Sequence, residues 1–162
     1  MSLSDELIAA NDAYVASGFP GPRPVAPRRA LAVVACMDSR MDLFALLGLE
    51  IGDAHVLRNA GGVITDDVIR SIAISQRVLG TTGIVLVHHT DCGMQKIDDD
   101  EFASALEADT GMRPGFAIEA FRDADASVRE SITRLEQSPF VTVTDIAGFV
   151  FDVETGRLRP VA

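Results

Sequence analysis

The chain has 162 residues, of which 48% are hydrophobic and 23% are charged, and its formal net charge is −10. This length suits one domain with a hydrophobic core, and we predict a single domain over residues 1–162. The acidic charge argues against nucleic acid as a partner, because phosphates attract basic surfaces. The sequence has no apolar run long enough for a membrane span and no signal-peptide pattern, so we predict a cytoplasmic protein without membrane partners.

The first 29 residues are predicted to form a helix on an extended arm. Apolar residues recur at helical spacing over residues 3–16, which predicts an amphipathic helix. Four of the seven prolines follow in "SGFPGPRPVAPRR", a composition typical of an extended segment that lies over the surface. We interpret residues 1–29 as part of the domain, and a helix on such an arm often packs against a neighbouring subunit.

After the arm, strand patterns and helix patterns alternate along the chain. Three apolar runs of strand length predict strands at residues 30–36, 54–59 and 83–89. Helical patterns lie between them at residues 41–48 and 66–80. Continuous apolar strands that alternate with helices indicate an α/β fold, with a central, mostly parallel β-sheet flanked by helices.

The rest of the chain is predicted to add a helix and strands. Residues 117–136 have helical periodicity. The acidic run "DDDE" at residues 98–101 is interpreted as a solvated helix start rather than a metal site. The segment "FVTVTDIAGFVFDVETGRL", residues 140–158, is strand-like, and a Thr-Gly turn is predicted to join its last two strands.

The three predicted strands end in chemically distinctive residues, namely Cys36, Asn59 and His89. Ligands of parallel sheets bind at the carboxyl ends of the strands. His89 and Cys92 are three residues apart, so both side chains can turn toward one point. With Cys36 they offer two thiolates and an imidazole, a set that suits zinc. Three protein ligands with an open fourth position are typical of a catalytic zinc site.

Each of these residues also has a purely structural interpretation. An isolated cysteine often fills space in the core, but two cysteines near strand ends together with a histidine favour a metal site. His88 is predicted to point away from His89, because neighbours on a strand alternate faces, and to be packed or hydrogen bonded. His55, in the middle of a strand, is predicted to be structural.

Asp38 and Arg40 follow Cys36 closely in the sequence "CMDSR". A surface ion pair between them would contribute little to stability. Their position directly after a candidate ligand favours a role at the metal site instead. The segment "RNAGG", residues 58–62, is either a plain turn or a place where glycines let the backbone approach a pocket, and both interpretations are open.

Three motifs together resemble the signature of the β-class carbonic anhydrases, namely "CMDSR", "RNAGG" and "HTDC". The resemblance runs from about residue 30 to the end of the chain. The N-terminal helix and proline-rich arm are similar to those of short bacterial members, and "HHTDCGM" is similar to one small subgroup.

The resemblance implies a β-carbonic-anhydrase-like fold with one Zn²⁺ per subunit. It implies that Cys36, His89 and Cys92 bind the zinc and that water or hydroxide holds the fourth position. Asp38 is a possible fourth ligand in a resting state, and otherwise forms a dyad with Arg40. The resemblance also implies a homodimer or a dimer of dimers, with the active-site cleft near the subunit interface.

The implied reaction is attack of zinc hydroxide on carbon dioxide, which gives bicarbonate and a proton. Zinc with two thiolates and a neutral imidazole has zero formal charge, so it acidifies water less than a tris-histidine site does. We therefore expect Arg40 to hold Asp38 off the metal, and Asp38 to accept the proton of the hydroxide in a hydrogen bond and orient it. The substrate pocket is expected to be narrow and aliphatic, with walls from Asn59, Ala60, Gly61, Gly62 and Val63.

Other functions are compatible with the same ligands. Similar short sequences include hydrolases of carbonyl sulfide and carbon disulfide, which release sulfide. A non-catalytic zinc or redox-sensing module would let Cys36 and Cys92 switch between metal and disulfide. A cysteine nucleophile with His89 as its base leaves the second cysteine and the Asp38–Arg40 pair unexplained.

Overall fold

The computed structural model describes residues 2–161 and contains a five-stranded β-sheet. The strands are β1 Leu31–Cys36, β2 Ala54–Asn59, β3 Gly83–His89, β4 Asp145–Phe151 and β5 Leu158–Val161. Their order across the sheet is β2-β1-β3-β4-β5. The first four strands pair in parallel, and β5 pairs with β4 in the antiparallel direction. The predicted mostly parallel sheet is confirmed.

Five α-helices and two short 3₁₀ turns connect the strands within residues 2–161. The helices are α1 Leu3–Ala16, α2 Leu43–Leu47, α3 Asp66–Leu79, α4 Asp99–Thr110 and α5 Ala124–Gln137, and the 3₁₀ turns are Ala60–Gly62 and Gly93–Lys96. The Asp98 carboxylate accepts hydrogen bonds from the first backbone N–H groups of α4. This cap confirms that the acidic run is a helix start.

Apolar layers cover both faces of the sheet. On one face, buried side chains of β1 and β3 pack against α3 and α5, and this layer includes Val34, Leu86, Ile72 and Leu135. On the other face, strand side chains pack against α2 and the second 3₁₀ turn, and this layer includes Val33, Val87, Leu43 and Met94. Because strand neighbours alternate faces, burial on both sides requires the continuous apolar runs seen in the sequence.

Two predicted element starts were wrong. The helix predicted over residues 117–136 begins at Ala124, after Asp123 caps it by accepting a hydrogen bond from the N–H of Ala126 at 2.7 Å. Glu119 has φ = 59°, a left-handed conformation that interrupts a helix. The first strand begins one residue later than predicted, because Ala30 has φ = 49°. In both cases the apolar pattern continues through residues whose backbone is neither helix nor strand.

The N-terminal arm is attached to the domain, whereas α1 is not packed on it. Arg28 donates hydrogen bonds to Asp53 at 2.7 Å and to Glu50 at 2.9 Å, which anchors the end of the arm beside β2. No residue of α1 is buried, although its predicted bounds are confirmed. None of the helices within residues 2–161 is long and apolar enough to cross a membrane.

Candidate metal centre

Three side chains from separate parts of the sequence meet at the carboxyl edge of the sheet. Cys36 ends β1, His89 ends the adjacent β3, and Cys92 precedes the 3₁₀ turn Gly93–Lys96. One potential ligand atom from each lies within 4.8 Å of the other two, and all three residues are buried. The parallel pairing of β1 and β3 brings the two strand ends together, and the short loop after β3 returns Cys92 to the same point.

The donor atoms fit a divalent metal ion. The two sulfurs are 3.9 Å apart, too far for a disulfide, and both cysteines are free. Sulfurs bound to one tetrahedral zinc at about 2.3 Å would lie about 3.8 Å apart. His89 donates from Nδ1 to the carbonyl of Thr90 at 2.8 Å, which leaves the lone pair of Nε2 facing the thiols. That buried Nε2 has no hydrogen-bond partner among residues 2–161.

The contact between the two thiols moves their pKa values in opposite directions. The hydrogen bond from the Cys92 thiol lowers the pKa of Cys36. The same contact raises the pKa of Cys92, since a second thiolate beside the first would be repelled. Binding of a metal ion as a bis-thiolate would therefore release the proton that Cys92 holds.

Asp38 and Arg40 form the predicted pair beside this centre. Arg40 donates from Nε and Nη2 to the two oxygens of Asp38, at 2.9 and 2.8 Å. On its other side Arg40 donates to the carboxylate and the carbonyl oxygen of Asp91, each at 3.1 Å. Hydrogen bonds from Arg40 hold the pKa of Asp38 well below its usual range. Asp38 Oδ2 lies 3.6 Å from His89 Nε2, so the carboxylate borders the metal position.

The glycine turn Ala60–Gly62 lies directly against Cys36. Gly62 has φ = 72°, and a Cβ built on it would stand 2.7 Å from the backbone nitrogen of Cys36. Asn59 donates from Nδ2 to the carbonyl of Val63 at 2.8 Å and so closes the turn. The glycines of "RNAGG" thus let the backbone approach the strand that carries a candidate ligand, whereas their approach to a pocket stays a prediction.

The other two histidines are held in hydrogen bonds away from the thiols. His88 is fully buried and contacts the carbonyl of Gly62 through Nε2 at 3.1 Å. His55 contacts the hydroxyl of Ser75 through Nδ1 at 2.7 Å. The predictions of structural roles for both residues agree with these contacts.

Two residues near the centre had no role in the sequence analysis. Arg58 donates to three backbone carbonyls of the loop after β1, namely those of Cys36, Asp38 and Met41. Asp91 holds Arg40 and has φ = 52°. Arg58 lies in the motif "RNAGG" and Asp91 lies in the motif "HTDC". The signal that could have found Arg58 is a charged residue at a strand end, and for Asp91 it is a charged residue between two candidate ligands.

The residues predicted to line the substrate pocket differ in their surroundings. Val63 lines a cavity of about 240 Å³ whose other walls include the charged side chains of Glu119, Glu130 and Arg134, and the other four predicted residues do not border it. Gly61 and Gly62 are buried, and Asn59 braces the turn that contains them. The substrate role of Asn59, Ala60, Gly61, Gly62 and Val63 remains a prediction.

The fold and this group of side chains define a class of protein. Ligands of parallel sheets bind at the carboxyl edge, and two thiols with an imidazole select a borderline or soft metal such as zinc. The chain is thus an α/β protein with a buried Cys–His–Cys group that can bind a metal.

Comparisons with known proteins give the family. The family model for carbonic anhydrase matches residues 31–158. Beta-carbonic anhydrase 1 of Mycobacterium tuberculosis strain H37Rv is 54% identical over 162 residues, which covers 99% of each chain. The crystal structure of carbonic anhydrase from Streptococcus mutans matches with a TM-score of 0.93 and 46% identity, and covers 100% of this chain and 99% of that one. The chain therefore belongs to the carbonic anhydrase family, in its β class.

A second group of relatives is more distant. Carbon disulfide hydrolase of Acidithiobacillus thiooxidans is 36% identical over 154 residues, which covers 82% of this chain and 77% of that protein. The identity is lower and the coverage shorter than for the mycobacterial carbonic anhydrase. The family resemblance stated from the motifs is confirmed.

Proposed function

We propose that this chain catalyses the reversible hydration of carbon dioxide to bicarbonate and a proton, with one zinc ion per subunit held by Cys36, His89 and Cys92. One observation carries the proposal: these three donor atoms lie within 4.8 Å of one another. The carboxylate of Asp38 lies beside them and is not one of the three. Three protein ligands leave a fourth position for chemistry.

When bound, zinc lowers the pKa of a water ligand and so supplies a nucleophile at neutral pH. In this proposal Asp38 would accept a hydrogen bond from that nucleophile and orient it toward the substrate. The low pKa of Asp38, which results chiefly from its hydrogen bonds with Arg40, keeps the side chain ionised as a carboxylate at neutral pH. Arg40 holds both of its oxygens and so keeps it from becoming the fourth ligand.

The proposed substrate pocket is formed by the turn that follows β2. Its members are Asn59, Ala60, Gly61, Gly62 and Val63. Carbon dioxide is small and apolar, so a pocket walled mostly by glycine and aliphatic side chains can admit it.

The ligand assignment is tested by zinc content. His89→Ala and Cys92→Ser each remove one donor, and we expect the zinc-to-protein ratio of both variants to fall well below that of the parent protein. His55→Ala is the matched control, because its ring contacts Ser75 and not the thiols, and it should keep the parent ratio. An unchanged ratio in His89→Ala would remove His89 from the ligand set.

A carbon disulfide or carbonyl sulfide hydrolase is the second candidate function. The relative named carbon disulfide hydrolase favours it at 36% identity, against 54% for the relative named beta-carbonic anhydrase 1. The measurement that separates the two activities is sulfide release, since metal content is the same for both.

We further propose that the chain is a cytoplasmic homodimer, or a dimer of dimers. The exposed apolar residues of α1, including Leu7 and Ile8, need cover, and β2 is an edge strand with one unpaired side. A reducing compartment would keep both cysteines as thiols for the metal. Sedimentation equilibrium that gave a monomer at micromolar concentration would refute the dimer.

A further inference from the structure

His88 is a buried polar residue that the proposed mechanism does not use. Its side chain is fully buried, and Nε2 lies 3.1 Å from the carbonyl oxygen of Gly62. Since a carbonyl accepts only, Nε2 must carry the proton and donate it. The second ring nitrogen, Nδ1, is buried and has no hydrogen-bond partner among residues 2–161. A buried imidazole with only one of its two nitrogens hydrogen bonded destabilises the folded protein. If the position served only packing, an apolar residue would give a more stable protein.

The partner of His88 is the turn that touches the metal ligand Cys36. Gly62 packs so closely on β1 that a Cβ would stand 2.7 Å from the Cys36 nitrogen and 2.9 Å from the Ala35 carbonyl carbon. The hydrogen bond from His88 therefore fixes the three-residue turn that packs on the backbone of Cys36.

Phe121 holds this arrangement from the outside. Its ring stacks on His88 with the centroids 5.4 Å apart and the planes at 27°. The same ring closes over Gly61, where a Cβ would meet Phe121 at 3.0 Å. Phe121, His88 and the turn thus form a packed stack that ends at Cys36.

We propose that His88 is a positioning residue of the metal centre, which clamps the Ala60–Gly62 turn on the backbone of Cys36 and thereby fixes the Cys36 sulfur where it can share one metal ion with His89 and Cys92. Replacement of an outer residue that orients a metal ligand typically lowers metal affinity by about 10- to 100-fold. The inference rests on the proposal that Cys36 binds the metal.

The test uses cobalt in place of zinc, because the thiolate-to-cobalt charge-transfer band in the near ultraviolet reports the bond between sulfur and metal. In His88→Met the turn loses its clamp and Cys36 its fixed position, so we expect the band to shift and the cobalt affinity to fall by about 10-fold or more. His88→Gln keeps an amide N–H at the position of Nε2, and we expect it to restore both values toward those of the parent protein.

Two further variants keep the test decisive. His55→Met is the matched control: it removes the other non-ligand histidine, which also makes a side-chain hydrogen bond, and its band should equal that of the parent. Phe121→Leu leaves His88 in place but removes the stacked ring, and should give a smaller shift in the same direction, which decides the matter if His88→Met does not fold. A band that is unchanged in His88→Met and Phe121→Leu would overturn the inference, whereas a parent protein without any thiolate band would overturn the ligand assignment itself.

Discussion

Arg40 makes contacts in two directions, and this arrangement determines where the Asp38 carboxylate can go. On one side it holds both oxygens of Asp38, and on the other it holds Asp91, which also contacts Lys96 at 2.7 Å. Each exposed ion pair alone contributes little. A planar guanidinium bonded along both edges has little freedom to rotate, however. We therefore infer that Arg40 keeps Asp38 beside the metal position rather than on it.

Replacement of Arg40 by Ala should separate metal binding from activity. Without its partner, Asp38 is free to become the fourth ligand, so we expect hydration activity to fall by about 100-fold or more while the zinc content stays at the parent value. Arg70→Ala is the control, since Arg70 forms an exposed pair with Asp67 on α3. Full activity in Arg40→Ala would contradict the role given to the dyad.

At the residue scale, the candidate ligands could be predicted but part of their support could not. Cys36, His89 and Cys92 have side chains that can bind a metal, and their positions at or near predicted strand ends are visible in the sequence. Arg58 could not be assigned in the same way, because its partners are backbone carbonyls of a folded loop. No sequence pattern records the path of that loop.

The packing of the glycine turn leaves no room for a side chain at Gly62. Gly62→Ala should destabilise the protein through its left-handed backbone, by about 1 to 2 kcal/mol, and through the clash with Cys36, by about 1 to 3 kcal/mol more. Gly80→Ala is a matched control, because Gly80 has φ = 74° and open space around a built Cβ. Urea unfolding gives the free energy of unfolding of both variants, and the difference between their losses measures the clash with Cys36. Equal losses of stability in the two variants would show that the contact with Cys36 is not tight.

The last strand is tied to α5 by an ion pair that should make stability depend on pH. Arg159 holds both oxygens of Asp125, at 2.6 and 2.7 Å, and this bond lowers the pKa of Asp125. A carboxyl whose pKa is lower in the folded protein stabilises it above the unfolded pKa and loses that effect as pH falls through the folded pKa.

Asp125→Asn should therefore lower the urea midpoint at pH 7, by the equivalent of about 1 kcal/mol or less, since Arg159 is half exposed. The difference in urea midpoint from the parent protein should narrow as the pH falls below about 4, where the carboxyl of the unfolded chain begins to be protonated before the folded one, whose pKa is lower. Asp109→Asn, an exposed position near the end of α4, controls for the loss of charge. A gap that widens on acidification would contradict the sign of this linkage.

At the element scale, regular packing could be predicted and irregular backbone could not. The strands β1 and β3, which end in Cys36 and His89, were predicted because burial on both faces requires an apolar run, whereas β2 is half-buried and less apolar. The start of α5 was missed because Ile118 and Phe121 lie in a loop yet pack on the core at helix-like spacing. Their burial depends on contacts with distant elements and not on the local period.

At the scale of the whole molecule, the fold places the candidate metal ligands at the carboxyl edge of the sheet and leaves apolar surface of α1 exposed. The strand order puts β1 and β3 side by side, so their carboxyl ends deliver Cys36 and His89 together. The exposed apolar face of α1 and the free edge of β2 lie outside this centre. We expect a second copy of the chain to cover them, as proposed above.

The central claim is that the zinc-loaded protein hydrates carbon dioxide. Its most direct test is a stopped-flow hydration assay on protein of measured zinc content, run beside sulfide detection with carbon disulfide and carbonyl sulfide. We predict hydration that rises in proportion to bound zinc, with no sulfide released above the uncatalysed rate. Sulfide release from either substrate without zinc-dependent hydration of carbon dioxide would contradict the account.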